Sequence, residues 1–278
     1  MKKKIALVLA LLLLGITAAG LKLRIEALPR RKVPGAGIIY LPSGKYLKLA
    51  TFGFSSLMAD IVYLWAIQYY GNEEISNRYD YLLHIFGIIA ELDPGYIDPY
   101  EIGALIALYD LGDVTLALKV LDLGFEKNPA QWIFPFEAGH YAAKAGGFDL
   151  AKAYYKKAMD IPGSPAIAKR LYADTAYKTM DLKTSWETWL EVFNTAQDEQ
   201  IKKIAGNHLY QVKATADIGV LKGALEKYRE RSGRLPAEAG ELVRAGILPS
   251  LPTDYDGKDY VYDPATGEFR TQVIPWKR

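Results

Sequence analysis

The sequence contains no cysteine and only three histidines. The lack of cysteine excludes disulfides, thiol catalysis and thiolate metal sites, although it does not fix the compartment. His84, His140 and His208 lie far apart on three predicted helices. A metal site would require these histidines to converge with carboxylates, and their spacing does not support this, so we expect no metal centre built on histidine.

Sequence motifs for common enzyme chemistries are also missing. There is no GxSxG, no HExxH and no glycine-rich phosphate loop. The 34 basic and 32 acidic residues leave a formal charge of +2, which gives no reason to expect a nucleic-acid partner. We therefore expect a protein without enzymatic activity and without a cofactor.

The N-terminus has the pattern of an export signal. Three lysines precede an uncharged apolar run over residues 5–21, as in secretory signals. We interpret residues 1–24 as an anchor in a bacterial inner membrane, with the body of the protein in the periplasm. The alternative is cleavage near Thr17-Ala18-Ala19, which would release a periplasmic protein. Residues 25–46 are rich in proline and glycine and predict an extended linker.

The middle of the chain contains one pattern of small and large apolar residues more than once. Its first copy consists of Gly112, Ala117, Leu121, Gly124 and Pro129. Its second copy, displaced by 34 residues and at the final proline by 33, consists of Gly146, Ala151, Tyr155, Ala158 and Pro162. Ser185 and Trp189 continue the period. This period resembles that of tetratricopeptide repeats, in which two helices form each unit.

The period predicts an array of about four helical hairpins over residues 47–197. Its first unit has helices Leu47–Tyr70 and Arg78–Leu92, and Gly71 is expected to cap the first of them in a left-handed conformation. Residues 198–231 predict one or two capping helices, with a kink or a close helix contact at Gly219 and Gly223. Small repeat residues are expected where helices cross, and large ones between units.

Residues 232–278 predict a small appendix with a short helix and a β-hairpin. Its strands are expected at Asp259–Tyr262 and Glu268–Val273. The residues that carry a resemblance are Tyr228, Gly233-Arg234-Leu235-Pro236, Glu241-Leu242-Val243, Gly246, Leu251-Pro252, Asp254, Gly257, Tyr260, Tyr262 and Gly267. This order resembles the end of the major pseudopilin domain of type II secretion, and tails on bacterial repeat proteins. The chain lacks a prepilin cleavage motif, so it is not a pseudopilin.

The pseudopilin resemblance implies that the loop before the hairpin holds calcium. Asp254, Asp256 and Asp259 would then supply hard oxygen ligands. We favour a structural turn without a metal, because Asp256-Gly257 is a common turn sequence. An EF-hand order of ligands is absent.

The whole chain resembles membrane-anchored tetratricopeptide proteins of Gram-negative bacteria. The segments that carry this likeness are Leu41-Pro42, Ala59-Asp60, Trp65-Ala66, Gln68-Tyr69-Tyr70-Gly71 and Leu92-Asp93-Pro94. The resemblance implies a mostly α-helical solenoid at a membrane. It implies no activity.

We expect a scaffold that binds other envelope proteins through a groove, in assembly of a secretion, pilus or cytochrome-type complex. The candidate groove residues are Tyr109, Tyr141, Lys144, Tyr172 and Tyr177, and Tyr141 with Lys144 is the favoured pair. Two alternatives remain: a structural subunit of a membrane complex, and a periplasmic protein that binds a small molecule or lipid.

Overall fold

The computed structural model describes residues 2–26, 41–75 and 77–274. The chain is mostly helical, with a two-stranded antiparallel sheet near the C-terminus, which confirms the predicted fold class at this level. The helices are α1 (Lys2–Glu26), α2 (Gly44–Ala50), α3 (Ser55–Tyr70), α4 (Leu82–Leu92), α5 (Asp98–Leu105), α6 (Val114–Lys127), α7 (Ile133–Lys144), α8 (Phe148–Met159), α9 (Ala166–Lys178), α10 (Leu182–Thr195), α11 (Glu199–Ser232) and α12 (Glu241–Arg244). The strands are β1 (Val261–Asp263) and β2 (Glu268–Arg270).

The N-terminal segment forms helix α1. Its leucines from Leu11 to Leu23 are exposed. Within the described residues, no helix meets the length and apolarity needed to cross a bilayer. Most of the predicted linker at 25–46 lies outside the described residues, and its last part already belongs to α2.

The predicted helix Leu47–Tyr70 is wrong, because the chain turns sharply inside it. Phe52 and Gly53 have φ of 49° and 96°, and this turn separates α2 from α3. Both helices pack on α4, which begins at Leu82 rather than at Arg78. Gly71 ends α3 with φ of −73°, so the predicted left-handed cap is also wrong.

Helices α5 to α10 pack each on the next along the chain. Three turns inside this series share one backbone conformation at intervals of 34 residues. Gly112, Gly146 and Met180 have φ of 67°, 79° and 59°. Asp113 and Asp181 then cap α6 and α10 by accepting from backbone N–H groups. The sequence period is therefore also a period of the backbone, with methionine at one of the three glycine positions.

The helices approach closely where an aromatic ring lies on a glycine of a neighbouring helix. A Cβ added at Gly103 would lie 3.0 Å from Phe86, and one at Gly124 or Gly139 would lie 2.7 Å from Phe134 or Tyr155. Real Cβ atoms essentially never approach closer than 3.0 Å, so a side chain at Gly124 or Gly139 would force the ring to move, and at Gly103 the contact would be unusually tight.

The other repeat positions are mostly buried, and the two prolines lie in turns after α6 and α8. Buried are Ala117, Leu121, Gly124, Ala151, Tyr155, Ala158, Ser185 and Trp189. Ser185 Oγ donates to the carbonyl of Ala173 at 2.8 Å, which satisfies the one hydroxyl in this set of small residues. Pro129 and Pro162 follow the helix ends.

Residues 198–231, predicted to form one or two helices, belong almost entirely to a single helix, α11. Gly219 and Gly223 interrupt no hydrogen-bonded turn, and a Cβ at either would meet nothing within 4 Å, so the predicted kink or close contact is wrong. Gly233 ends α11 in the left-handed conformation, with φ of 69°. The N-terminal half of α11 packs with α10, and its C-terminal half packs with the appendix.

The appendix is held to α11 by tyrosine hydroxyls as well as by its apolar core. Tyr260 donates to Asp217 at 2.8 Å, and Tyr228 donates to Glu241 of α12. In the hairpin, Tyr262 pairs with Phe269. Both strands are shorter than predicted, since Asp259 forms an isolated bridge to Thr253 and the second strand ends at Arg270.

Replacement of Gly124 by alanine should destabilise the protein. The new methyl group collides with the Phe134 ring, and overpacking costs about 1–3 kcal/mol, against about 1 kcal/mol gained from helix propensity. We expect a net loss of up to about 2 kcal/mol in urea unfolding followed by circular dichroism. Gly219→Ala on the exposed side of α11 is the control and should be neutral or stabilising. Equal shifts in the two variants would contradict the ring–glycine contact.

Replacement of Met180 by glycine should stabilise the protein. A residue with a Cβ loses about 1–2 kcal/mol in the left-handed region, and glycine loses about 0.5–1 kcal/mol through backbone entropy. The Met180 side chain is 65% exposed and contributes little packing. We expect a gain of about 0.5–1 kcal/mol in the same unfolding assay. Met180→Ala keeps the Cβ and should show no such gain.

Candidate functional site

The strongest candidate site is a cleft between α3, α5 and α7. It has a volume of about 420 Å³. Its lining residues are Tyr63, Asp98, Glu101, Ile102, Leu105, Glu137 and Tyr141. Three helices that are not consecutive in the chain thus contribute side chains to one concave surface. We call this set of residues the acidic cleft.

The acidic cleft begins where α5 begins. Pro99 lies at the start of α5 and fixes its first turn, and Asp98 and Glu101 lie in that turn. A helix N-terminus stabilises negative charge, which suits both residues locally. Glu137 comes from the middle of α7 and completes the group of three carboxylates.

The carboxylates lie close enough to disturb one another. Burial raises the pKa of Glu101, and the negative charges of Glu137 and Asp98 raise it further. The pKa of Tyr63 is raised by burial, by Tyr96 and by the charges of Asp98 and Glu101. The cleft is therefore a region of uncompensated negative potential, and a bound cation would relieve it.

Tyr141, one of the favoured groove residues, lines this cleft but is also part of the core. Only 6% of it is exposed. Its pKa is raised by burial first and then by the charge of Glu137. A substitution of Tyr141 would disturb packing as well as the cleft, so it is a poor test of binding.

Lys144, the other favoured residue, contacts Tyr109. Its Nζ lies 4.0 Å from the centre of the Tyr109 ring, a cation–π contact between α7 and the π-helical end of α5 at Ile106–Asp110. Tyr109 is 61% exposed. Tyr109 also interacts electrostatically with Tyr141, so these three predicted residues lie near one another.

Tyr172 and Tyr177 do not join this group. Tyr172 is partly buried against the core that contains Tyr155. The Tyr177 hydroxyl hydrogen-bonds to Thr215 of α11 at 3.0 Å and belongs to a different core with Trp189. Of the five predicted groove residues, the structure thus places Tyr109, Tyr141 and Lys144 together and separates the other two.

A second cavity lies between α10, α11 and the loop before the hairpin. It has a volume of about 520 Å³ and a mainly apolar lining. Trp186 and Tyr255 form two of its walls and meet edge to face at 6.0 Å. Lys213, at its rim, forms an ion pair with Asp217 at 2.7 Å.

The predicted calcium ligands do not converge. Asp254 is buried and accepts hydrogen bonds from the Tyr210 hydroxyl at 2.8 Å and from the backbone N–H groups of Asp256 and Lys258. Burial acts to raise its pKa, but these hydrogen bonds outweigh it and lower the pKa. Within the described residues, no three acidic or histidine side chains are placed to hold a metal ion. Asp254 organises the turn.

Sequence reasoning singled out none of Tyr63, Asp98, Glu101 and Glu137 as binding residues. Glu101 and Glu137 lie 36 residues apart, close to the repeat period. That spacing would place two carboxylates at similar heights on neighbouring helices. No protein-family model matches the chain, and no curated protein is significantly similar to it in sequence.

Replacement of Glu101 by glutamine should stabilise the protein at neutral pH. The pKa of Glu101 is raised in the folded state, so its ionisation opposes folding, and this penalty grows as pH rises through the raised pKa. The variant removes the penalty. Its advantage should be clear at pH 7 and small near pH 4, where the carboxyl group is largely protonated in both states.

The measurement is the free energy of urea unfolding at the two pH values. Glu230→Gln, on the exposed C-terminal half of α11, is the matched control and should change stability little at either pH. A variant Glu101→Gln that is less stable than the parent at pH 7 would contradict the described electrostatics of the cleft.

Proposed function

We propose that the protein is a non-enzymatic scaffold, anchored in a bacterial inner membrane, that binds segments of other envelope proteins in the acidic cleft. The single observation that carries this proposal is the convergence of α3, α5 and α7 on one cleft with aromatic, aliphatic and acidic walls. Pockets with mainly apolar walls and a few oriented polar groups are suited to recognise a side chain of specific chemistry.

The architecture that we propose for this scaffold is a tetratricopeptide-like solenoid of about four helical hairpins. Its support is the common backbone conformation of Gly112, Gly146 and Met180 at 34-residue intervals and the packing of each helix on the next. The loops that follow α4 and α6 contact each other at equivalent positions of the period. Asn128 Nδ2 donates a hydrogen bond to the carbonyl of Pro94, 34 residues earlier, at 2.6 Å.

The partner segment that fits best carries an arginine or a lysine. Three carboxylates face the cleft without a basic residue among its lining. Tyr63 and Tyr141 supply aromatic walls, which attract cations. A guanidinium group would gain charge-assisted hydrogen bonds to the carboxylates and would lower the raised pKa of Glu101.

Membrane attachment through residues 5–21, with the body in the periplasm, is part of the same proposal. It is supported by the basic and then apolar order of the N-terminal sequence. A cleaved, freely periplasmic form is the alternative. The second cavity favours a different function, the binding of a small apolar molecule, because of its size and its apolar lining.

The binding proposal is tested with a display library of random short peptides, selected on the purified full chain in detergent. We expect the selected peptides to be enriched in arginine or lysine. Each peptide is then compared with a copy in which citrulline replaces arginine, and fluorescence polarisation should show about tenfold weaker binding of the copy.

Two variants locate the binding. Glu101→Gln and Glu137→Gln should each weaken the arginine peptides and leave the citrulline copies unchanged, whereas Glu230→Gln should affect neither. Tyr141 is avoided because of its burial. If the selected peptides carry no basic residue, or if their affinity is unchanged in both cleft variants, the proposal fails.

A further inference from the structure

The first helix–turn–helix segment presents an apolar surface that no described side chain covers. It consists of α2, the turn and the outer side of α3. Its members are Tyr46, Leu49, Phe52, Phe54, Leu57, Ile61 and Leu64, all more than half exposed. Contiguous exposed apolar surface of this kind marks an interaction site. We call it the α2–α3 surface.

The outer side of α3 carries apolar residues at helical spacing. Ala59, Val62 and Ala66 face α4 and are buried. Leu57, Ile61 and Leu64 follow at helical spacing on the opposite side, and Leu64 is 62% exposed. A helix with apolar residues on both sides is usually covered on both sides.

The turn between the two helices projects the largest side chains outward. Phe52 is 91% exposed and adopts a left-handed conformation, which is unusual for a bulky residue. Phe54 is 69% exposed on the other side of Gly53. A strained backbone that exposes two phenylalanines indicates a function for their exposure.

We propose that the α2–α3 surface docks onto the surface of an anionic lipid bilayer, with Phe52 and Phe54 inserted at the level of the headgroups. The carrying observation is the combination of apolar side chains with positive charge. Lys45 and Lys48 belong to the same segment, and the sequence has no acidic residue from Gly44 to Ala59. Apolar side chains flanked by lysine are the composition of segments that lie in a membrane interface.

Two acidic residues, Glu91 and Asp60, lie at the edges of this surface. Glu91 of α4 lies against Gly44 at the start of α2, and Lys48 Nζ reaches the backbone carbonyl of Glu91 at 3.2 Å. Asp60 is exposed on α3, and its charge, after burial, helps to raise the pKa of Tyr96 in the loop before α5. The segment from Gly44 to Ala59, which includes the turn, carries lysines and no acidic residue.

The position of the surface in the chain agrees with a lipid partner. Residues 27–43 connect α1 to α2, so α2 begins within about 60 Å of the end of the apolar helix. Lys22, Arg24, Arg30, Arg31 and Lys32 precede it in sequence and add attraction to anionic headgroups. The proposal goes beyond partner binding in the acidic cleft and uses only the proposed membrane attachment.

The lack of native cysteine allows a direct test on the full chain. Single cysteines replace Phe54, Leu57 and Val220, and each is labelled with an environment-sensitive nitrobenzoxadiazole group. Val220 is exposed on α11 and serves as the control. The proteins are reconstituted in phosphatidylcholine vesicles with or without phosphatidylglycerol, and quenching by spin-labelled lipid and by aqueous iodide is measured.

We expect labels at positions 54 and 57 to be quenched by lipid at least about twofold more than the label at 220 and to be shielded from iodide, as for groups in the outer bilayer. Lipid quenching should be stronger with phosphatidylglycerol, and Lys45→Gln with Lys48→Gln should reduce it to the level in phosphatidylcholine alone. Retained circular dichroism shows that each variant is folded.

Two outcomes at positions 54 and 57 would overturn the proposal. Accessibility to iodide at 54 and 57 would show that water covers the surface. Shielding from both quenchers would show that a second copy or another protein segment covers it. A fourth label, on a cysteine that replaces Leu14, distinguishes failure of the docking proposal from failure of the proposed membrane anchor. Lipid quenching at 14 alone refutes only the docking, whereas no lipid quenching at any position refutes the membrane attachment as well.

Discussion

The contact between an aromatic ring and a glycine of a neighbouring helix is the constraint on which the array depends. It occurs at Gly103, Gly124 and Gly139, each time with a ring from another helix. A ring lying on bare backbone lets two helices approach more closely than any side chain would allow. Because each helix packs mainly on its sequence neighbour, these contacts set the spacing that brings α3, α5 and α7 around one cleft.

The same contacts explain why the cleft tolerates three carboxylates. The apolar side chains and rings fill the spaces between successive helices, so the acidic residues at the start of α5 and in the middle of α7 are left to face the concave side. Burial first, and then the charges of Glu137 and Asp98, raise the pKa of Glu101. The packing is strong enough to hold an unfavourable arrangement of charge, which is typical of residues kept for binding.

Strong local signals in the sequence mark the ends of several helices. Asp113 caps α6 and Gly146-Gly147 separates α7 from α8, and residues of these types are typical of such positions. The turn at Phe52-Gly53 was missed because a left-handed phenylalanine has no local signature. The strands were predicted to be longer than they are, because only the residues beside the Asp263–Gly267 turn form ladder pairs. The cleft was missed because its members become neighbours only through the angles between helices, which the 34-residue period does not specify.

Helix α11 has a consequence for how the two ends of the body depend on each other. Its N-terminal half belongs to the core with Trp189 and its C-terminal half to the core with Phe269. Tyr255, in the loop before the hairpin, joins them, since it packs against both cores. The division between array and appendix thus falls within a continuous helix and not at a flexible joint. Loss of the appendix would expose one side of α11. We therefore expect the appendix and helices α9 and α10 to open together as one cooperative unit in hydrogen exchange.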